Sequence, residues 1–237
     1  MRSIRRRLPP AMSLPAWGGN PTYIEKIVGL FGANLIQYLP FDDAAGSATA
    51  RDASGNSRPG ANTDITAGST PLGTGHTSYS FNGSSSIVNP FSAGLAGAYS
   101  DALVSIGFFY KGVGSWTAGE YFMEYRYNAT NRWMIYTNAT GVTFGHRTEA
   151  ETVSVTSAAS HTNVIHLMVT LNGTNMIAYL NGAPVDTRAY TTWGQALTYT
   201  RIGSFAGSNF LDGNFSDVIT LDRVATPVEV AICANPF

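Results

Sequence analysis

From Val164 to Asp186 the chain reads VIHLMVTLNGTNMIAYLNGAPVD, three apolar runs divided by Asn172-Gly173 and Asn181-Gly182. Asn and Gly tolerate the positive φ that two-residue hairpin turns demand, so the stretch predicts a three-stranded antiparallel meander. A meander needs a partner for its apolar face, and the rest of the chain supplies more strands. Segment 103–111 (LVSIGFFYK) is rich in the β-branched and aromatic residues that suit a pleated, buried surface. Further strands are expected at 35–41, 77–81, 86–89, 120–127, 132–137, 141–146, 151–156, 164–171, 175–180, 183–188, 198–204 and 214–222. Only 12% of the 237 residues are charged and only two are lysines, Lys26 and Lys111, a composition that disfavours helices.

Two short helices are expected all the same. Asn20 offers an N-cap and Pro21 a first helical position, and Tyr23, Ile24, Ile27, Val28, Leu30 and Phe31 recur at helical spacing over 21–31, with Gly32 as a stop. The apolar side of that helix must lie on the outside of a sheet or on another subunit. Near the other end, Thr226-Pro227-Val228-Glu229 has the form of a capping box and predicts a helix over 227–232. No internal repeat is visible. The chain divides into an N-terminal arm with its helix, 1–33, and one large β domain, 34–237.

Charge is unevenly placed. Arg2, Arg5, Arg6 and Arg7 hold four of the fourteen basic side chains, which leaves ten basic against fifteen acidic residues, or about −5, on the remainder. Such an arm suits contact with nucleic acid or an acidic protein surface; the competing reading is a disordered tail, or translated sequence upstream of a start at Met12. The arginines are not followed by an apolar run, so no signal peptide is predicted, and no stretch approaches the roughly 20 apolar residues of a membrane span. Cys233 is the single cysteine, which rules out an internal disulfide, and it reads as a small buried apolar residue. The Asn-x-Ser/Thr triplets at Asn82, Asn128, Asn138, Asn172 and Asn214 are products of an Asn-, Ser- and Thr-rich composition.

The ordered motifs resemble laminin G-like, concanavalin A-like jelly-roll domains. Leu35–Gly60 (LIQYLPFDDAAGSATARDASGNSRPG) is similar to that family's opening strand and Asp-x-Ser-Gly-Asn loop, with Leu39-Pro40-Phe41-Asp42-Asp43 where members have a Trp-Pro-Leu-Asp-Glu-like run. Ser80-Phe81-Asn82-Gly83, Tyr179-Leu180-Asn181-Gly182, Arg201-Ile202-Gly203, Leu211-Asp212-Gly213 and Asp217-Val218 follow in the family's order, whereas 112–160 aligns with nothing in it. The resemblance implies an all-β, two-sheet jelly-roll sandwich, here with a short N-terminal helix and arm. Tyr23-Ile24-Glu25-Lys26 running into Leu35-Ile36-Gln37-Tyr38 resembles the phage virion proteins that carry this fold.

Catalytic motifs are missing from the sequence. Glycosidases of this fold carry Glu-x-Asp-x-x-Glu on one strand, and the nearest approach is Glu120 with Glu124. Four residues apart on a strand is about 13 Å, beyond the roughly 5–9.5 Å of a glycosidase pair, so both read as a solvated strand face. No Gly-x-Ser-x-Gly elbow and no His-Glu-x-x-His occurs. His76, His146, His161 and His166 stand singly, and His166, inside an apolar strand, reads as a hydrogen-bonded structural histidine. Asp42, Asp43, Asp52, Asn56 and Asp217 are oxygen donors of the kind calcium takes, with Asp52 and Asn56 the loop pair proposed as ligands; the competing reading is Asx-turn chemistry. Sugar binding calls for aromatic platforms with polar neighbours: Trp116, Tyr190, Trp193 and Tyr199 are the candidates, whereas Trp133, beside Asn131 and Arg132, reads as core.

The first functional reading is a non-enzymatic structural protein of a phage particle: a head decoration, fibre or tail component. It would assemble in the host cytoplasm and need no export signal. Arg5, Arg6, Arg7, Trp17, Tyr23, Ile27 and Phe31 would attach it to other virion subunits, with self-association into a homo-oligomer and a host glycan as a further partner. No membrane, specific nucleic acid or resident cofactor is expected. The alternative is a carbohydrate-binding module outside a virion. A third reading, glycoside hydrolase or lyase, lacks its carboxylates.

Overall fold

The structure, a computed structural model, describes residues 21–113, 118–139, 141–148, the backbone of 152–158, and 162–236. It opens on helix α1 (Tyr23–Phe31), which leads through a 3₁₀ turn, Gly32–Asn34, into strand β1 (Leu35–Leu39). The helix starts later than the Asn20-Pro21 expectation. Thr22 is its N-cap: the Thr22 hydroxyl accepts from the Glu25 N–H, while the Glu25 carboxylate accepts from the Thr22 N–H at 2.8 Å. That reciprocal pair satisfies two otherwise unpaired donors, which Pro at the first position cannot do. Gly32, at φ 51°, ends the helix as expected.

Short strands follow: β2 (Thr49–Ala50), β3 (Gly60–Thr63), β4 (Thr66–Ser69), β5 (Ser78–Asn82) and β6 (Ile87–Asn89), then helix α2 (Ala93–Ala98). The longer strands are β7 (Val104–Gly112), β8 (Tyr121–Arg126), β9 (Arg132–Asn138), β10 (Gly141–Arg147) and β11 (Thr152–Ala158). The meander is β12 (Ile165–Leu171), β13 (Asn175–Leu180) and β14 (Ala183–Ala189). Strands β15 (Tyr199–Ile202) and β16 (Asp212–Leu221) and helix α3 (Pro227–Ala234) complete the chain. The expectations missed β2, β3, β4 and α2.

The strands form two antiparallel sheets. Sheet A runs β14-β13-β12-β7-β16-β5-β4, with β1 also paired to β16, and sheet B runs β11-β10-β9-β8-β15-β6-β3-β2. The β13–β14 turn has positive φ at both Asn181 and Gly182, as the Asn-Gly signal requires. Between the sheets lies an aromatic-rich core. Phe108 stacks on Phe215 at 4.4 Å, Phe41 on Tyr79 at 4.4 Å, and Trp133 is fully buried beside Tyr125. Gly203 is fixed by this core, because a Cβ there would stand 2.3 Å from the Phe81 ring.

A second apolar cluster covers the outer face of sheet A. Tyr23, Ile27 and Phe31 of α1 and Val230 and Cys233 of α3 pack with Phe109, Met168, Tyr179, Ile219 and Leu221. The Tyr23 ring meets Phe109 edge-on at 5.8 Å, and its hydroxyl donates to the Cys233 carbonyl at 2.8 Å, tying the two helices together. Each such side chain, fully buried, contributes about 1.5–3 kcal/mol. The expectation that Tyr23, Ile27 and Phe31 meet other subunits is corrected here: their face is closed against the chain's own sheet, and α1 belongs to the same packed body as the strands. Arg5, Arg6, Arg7 and Trp17 lie outside the described residues.

Cys233 is buried as expected, and burial pushes its thiol up to about 12. His166 is buried too, but neither ring nitrogen has a hydrogen-bond partner, which corrects that part of the expectation; the ring packs on Phe109, and burial pushes it down to about 3. No helix among the described residues is long and apolar enough to cross a membrane.

Candidate functional site

The outer face of sheet B differs in chemistry from that of sheet A. Strand β8 lies between β15 and β9, in a register that sets Arg126 opposite both Tyr199 and Arg132, and Glu124 opposite Arg201. Side chains two apart on a strand share a face. Tyr199, Arg201, Glu124, Arg126 and Arg132 therefore converge on one surface. The guanidinium carbons of Arg126 and Arg201 lie 4.0 and 4.8 Å from the centre of the Tyr199 ring.

The Phe205–Ser208 turn, closed by two backbone hydrogen bonds, folds over this cluster. Phe205 stacks on Tyr121 at 4.6 Å and Tyr121 on Tyr136 at 5.1 Å, making a half-buried row of three rings, with the Arg132 guanidinium 4.6 Å above Phe205. Glu124 is sealed beneath. It is fully buried, and its Oε1 stands 3.7 Å from Arg126 Nη1 and 4.0 Å from Arg132 Nη1. Burial pushes Glu124 above the ordinary carboxylate value, against the pull of Arg126, Arg132, the Ala206 N–H and Arg201.

This corrects the reading of Glu120 and Glu124 as a solvated face. A bulge between Tyr121 and Met123 breaks the strand's regular alternation. Glu120 is also buried, and its carboxylate accepts from the Asp212 N–H at 3.5 Å at the far end of β8. The two carboxylates thus sit in separate surroundings.

The sequence candidates fall in three places. Tyr199 belongs to the sheet B cluster, on the strand expected over 198–204. Tyr190 and Trp193 lie together at another edge, with His146 between them: Trp193 stacks on His146 at 5.1 Å, and Tyr190 packs on the same imidazole at 4.6 Å. Asp101 clamps that loop, accepting from the Trp193 and Gly194 N–H groups and facing His146 at 3.4 Å. Tyr190 is buried and donates to the Asp101 carbonyl, so its ring is a packing element. A pocket of about 230 Å³ opens beside Trp193, lined by Tyr99, Ser100, Asp101 and Gly194 to Ala196. Trp116 lies outside the described residues.

The calcium candidates Asp52 and Asn56 are engaged with their own loop. Asp52 accepts from the Tyr38, Ser54 and Arg58 N–H groups, and Asn56 donates to the Leu35 carbonyl at 2.7 Å. Asp217 accepts from the Tyr38 hydroxyl at 2.6 Å and meets His76 at 3.0 Å. Burial works against charge on His76, yet the Asp217 hydrogen bond and charge outweigh it and hold His76 above its usual value. Among the described residues no three His, Cys, Asp or Glu side chains converge as a metal site.

Sequence reasoning missed Arg126, Arg201, Phe205, Tyr121 and Tyr136. The available signal was the two-residue spacing of Glu124 with Arg126 and of Tyr199 with Arg201, which places each pair on one face.

Comparison with known proteins fits this architecture. Domain 4 of AbnA, a GH43 extracellular arabinanase from Geobacillus stearothermophilus, solved in complex with arabinotriose, superposes with a TM-score of 0.66 at 17% identity, over 85% of this chain and 98% of that one. The binding domain of botulinum neurotoxin DC in complex with SialylT gives 0.66 at 15% identity over 86% of this chain, and that of Paraclostridial Mosquitocidal Protein 1 gives 0.64 at 16% over 85%. The chain spans about half the length of these two binding domains. No curated protein matches in sequence. The sequence profile of the concanavalin A-like lectin/glucanases superfamily matches residues 96–231, including the 112–160 segment that the motifs left unaligned. With more than half of its length so matched, the chain belongs to the concanavalin A-like lectin/glucanases superfamily.

Proposed function

We propose that the chain is a non-enzymatic glycan-binding domain whose ligand meets the outer face of sheet B. The observation that carries this reading is a half-buried cluster of aromatic rings and guanidinium groups with incomplete internal pairing. Tyr199 Oη, Arg132 Nε and Arg201 Nε lack hydrogen-bond partners. Buried polar groups are normally satisfied, and aromatic surface with a few convergent polar groups left to pair is what a ligand site offers. Structural neighbours solved with arabinotriose and SialylT support a saccharide ligand. The non-enzymatic reading is supported by the sealed position of Glu124 and by the different surroundings of Glu120.

Screening the full chain against an oligosaccharide array, with Arg126→Ala/Tyr199→Ala beside it, tests the proposal. Binding by the wild type alone is expected; an equally strong signal from the double variant, or product release from any bound glycan, contradicts it. The Trp193 pocket is a second reading, favoured by its volume and by Asp101 at its wall. Loss of binding in Trp193→Ala with retention in the double variant would move the ligand there.

The setting we propose is a phage particle, with the basic segment preceding α1 as the attachment element and a homo-oligomer as the displayed form. It is supported by the opening motif and the clustered arginines of the sequence. Since α1 is part of the packed domain, the deletion that tests attachment removes residues 1–20 and keeps the helix. Light scattering should show an oligomer for the full chain and a folded monomer for the deletion; a monomer in both cases removes this part of the proposal.

A further inference from the structure

We propose that the sheet B site is built for a carboxylate-bearing sugar, a uronic or sialic acid unit, rather than for a neutral one. This inference rests on the glycan-binding reading and names its ligand class. Arg126, Arg132 and Arg201 surround one carboxylate, Glu124, which leaves an excess of two positive charges on a half-buried surface. Glu124 does not saturate them. Its distances to Arg126 and Arg132, 3.7 and 4.0 Å, exceed hydrogen-bond length, and the Nε of Arg132 and that of Arg201 have no hydrogen-bond partner. Charges held half out of water without full pairing are costly, and an incoming anion lowers that cost.

The aromatic residues decide the geometry. Tyr199 was expected to be a stacking platform for a sugar ring, but Arg126 and Arg201 already lie over its ring. A guanidinium resting on an aromatic face keeps its N–H donors directed outward in its own plane. Two such groups on one tyrosine, and a third on Phe205, supply the planar donor forks that a carboxylate takes bidentately. Beside them the Phe205–Tyr121–Tyr136 row supplies half-exposed apolar surface for the body of a sugar. Nucleic acid is the weaker candidate. The chain carries a net charge of −1, and its four-arginine N-terminal run lies outside the described structure, so the remainder repels a long polyanion, while the positive patch spans a few strands rather than a stripe.

Glu124 has a positioning role in this site. Sealed under the Phe205–Ser208 turn, it draws Arg126 and Arg132, which stand opposite each other on adjacent strands, toward a common point. Without that carboxylate, two like charges in register would repel.

The test is calorimetric titration of the full chain with a trigalacturonate, a neutral galactotriose and a sulfated galactose oligosaccharide, repeated with Arg201→Gln and Glu124→Gln. The expected result is binding of the uronate, at least tenfold weaker binding of the neutral sugar, and a tenfold to hundredfold loss in Arg201→Gln, the range expected for one charge-assisted hydrogen bond. Uronate binding should also weaken as salt rises. Thermal melting confirms that each variant is folded, and Glu124→Gln should weaken the uronate without restoring preference for the neutral sugar. Neutral sugar bound as tightly as uronate, or a preference for the sulfated sugar, overturns the carboxylate assignment and leaves the glycan reading standing. Binding of none of the three overturns both.

Discussion

The two outer faces of the sandwich are made of the same kind of strand and finished in opposite ways. On sheet A the outward residues are Phe109, Met168, Tyr179, Ile219 and Leu221, and two helices close over them. On sheet B they are Tyr121, Glu124, Arg126, Arg132, Tyr136, Tyr199 and Arg201, and only the Phe205–Ser208 turn lies across them in the described chain. The first face is closed within the chain: two helices cover its apolar groups, the Tyr23 hydroxyl has its carbonyl, and the unpartnered nitrogens of His166 are sealed away. On the second, aromatic rings and guanidinium groups are half-buried and reach the surface. A covered face contributes stability, and one left open is available for recognition.

Substitutions should separate the two roles. Tyr23→Ala leaves a large cavity under α1 and strands the Cys233 carbonyl, and should cost about 3–5 kcal/mol in denaturant unfolding. Tyr199→Ala removes a half-buried ring from an outer face and should cost less than about 1 kcal/mol, with its main effect on binding. Equal destabilisation by the two would remove the distinction.

Acid should act on the faces with opposite signs. His166 lies on the covered face, lowered from 6.5 to about 3 by burial. The unfolded chain takes up this proton first, so its contribution is complete above pH 6.5 and is lost as pH falls toward 3. Glu124 is raised above 4.5, so the folded chain takes up that proton first. Its ionisation lowers stability as pH rises above 4.5. His166→Leu should flatten the acid limb of the stability curve, and Glu124→Gln should steepen it; the same change in both variants would contradict the assignments. The smallest effect concerns Cys233, whose buried, raised thiol should resist iodoacetamide at pH 8 in the native protein and react at once in denaturant. Rapid native labelling would mean that α3 leaves the sheet.

Much of the covered face is legible in the sequence, because its signals are local. Asn181-Gly182 sets a hairpin, Thr226 with Glu229 caps a helix, and the spacing of Tyr23, Ile27 and Phe31 makes an apolar stripe. What that stripe packs against is a long-range fact, and the alternative of another subunit was equally compatible with it. The short strands escaped for a different reason. Gly60–Thr63 and Thr66–Ser69 hold no run of β-branched or aromatic residues, and pairing with β6 and β5 makes them strands. The binding face was the least legible. Glu124 reads as solvated until the Phe205 turn is seen to cover it, and Arg132 and Arg201 are separated by 69 residues of sequence before the register joins them through β8.

The most direct test is to follow backbone amide NMR shifts of the full chain during titration with trigalacturonate. The account predicts shifts concentrated on β8, β9, β15 and the Phe205–Ser208 turn, with α1, α3 and the meander unmoved. Shifts centred on Gly194 to Ala196, or on the helices of sheet A, would contradict it.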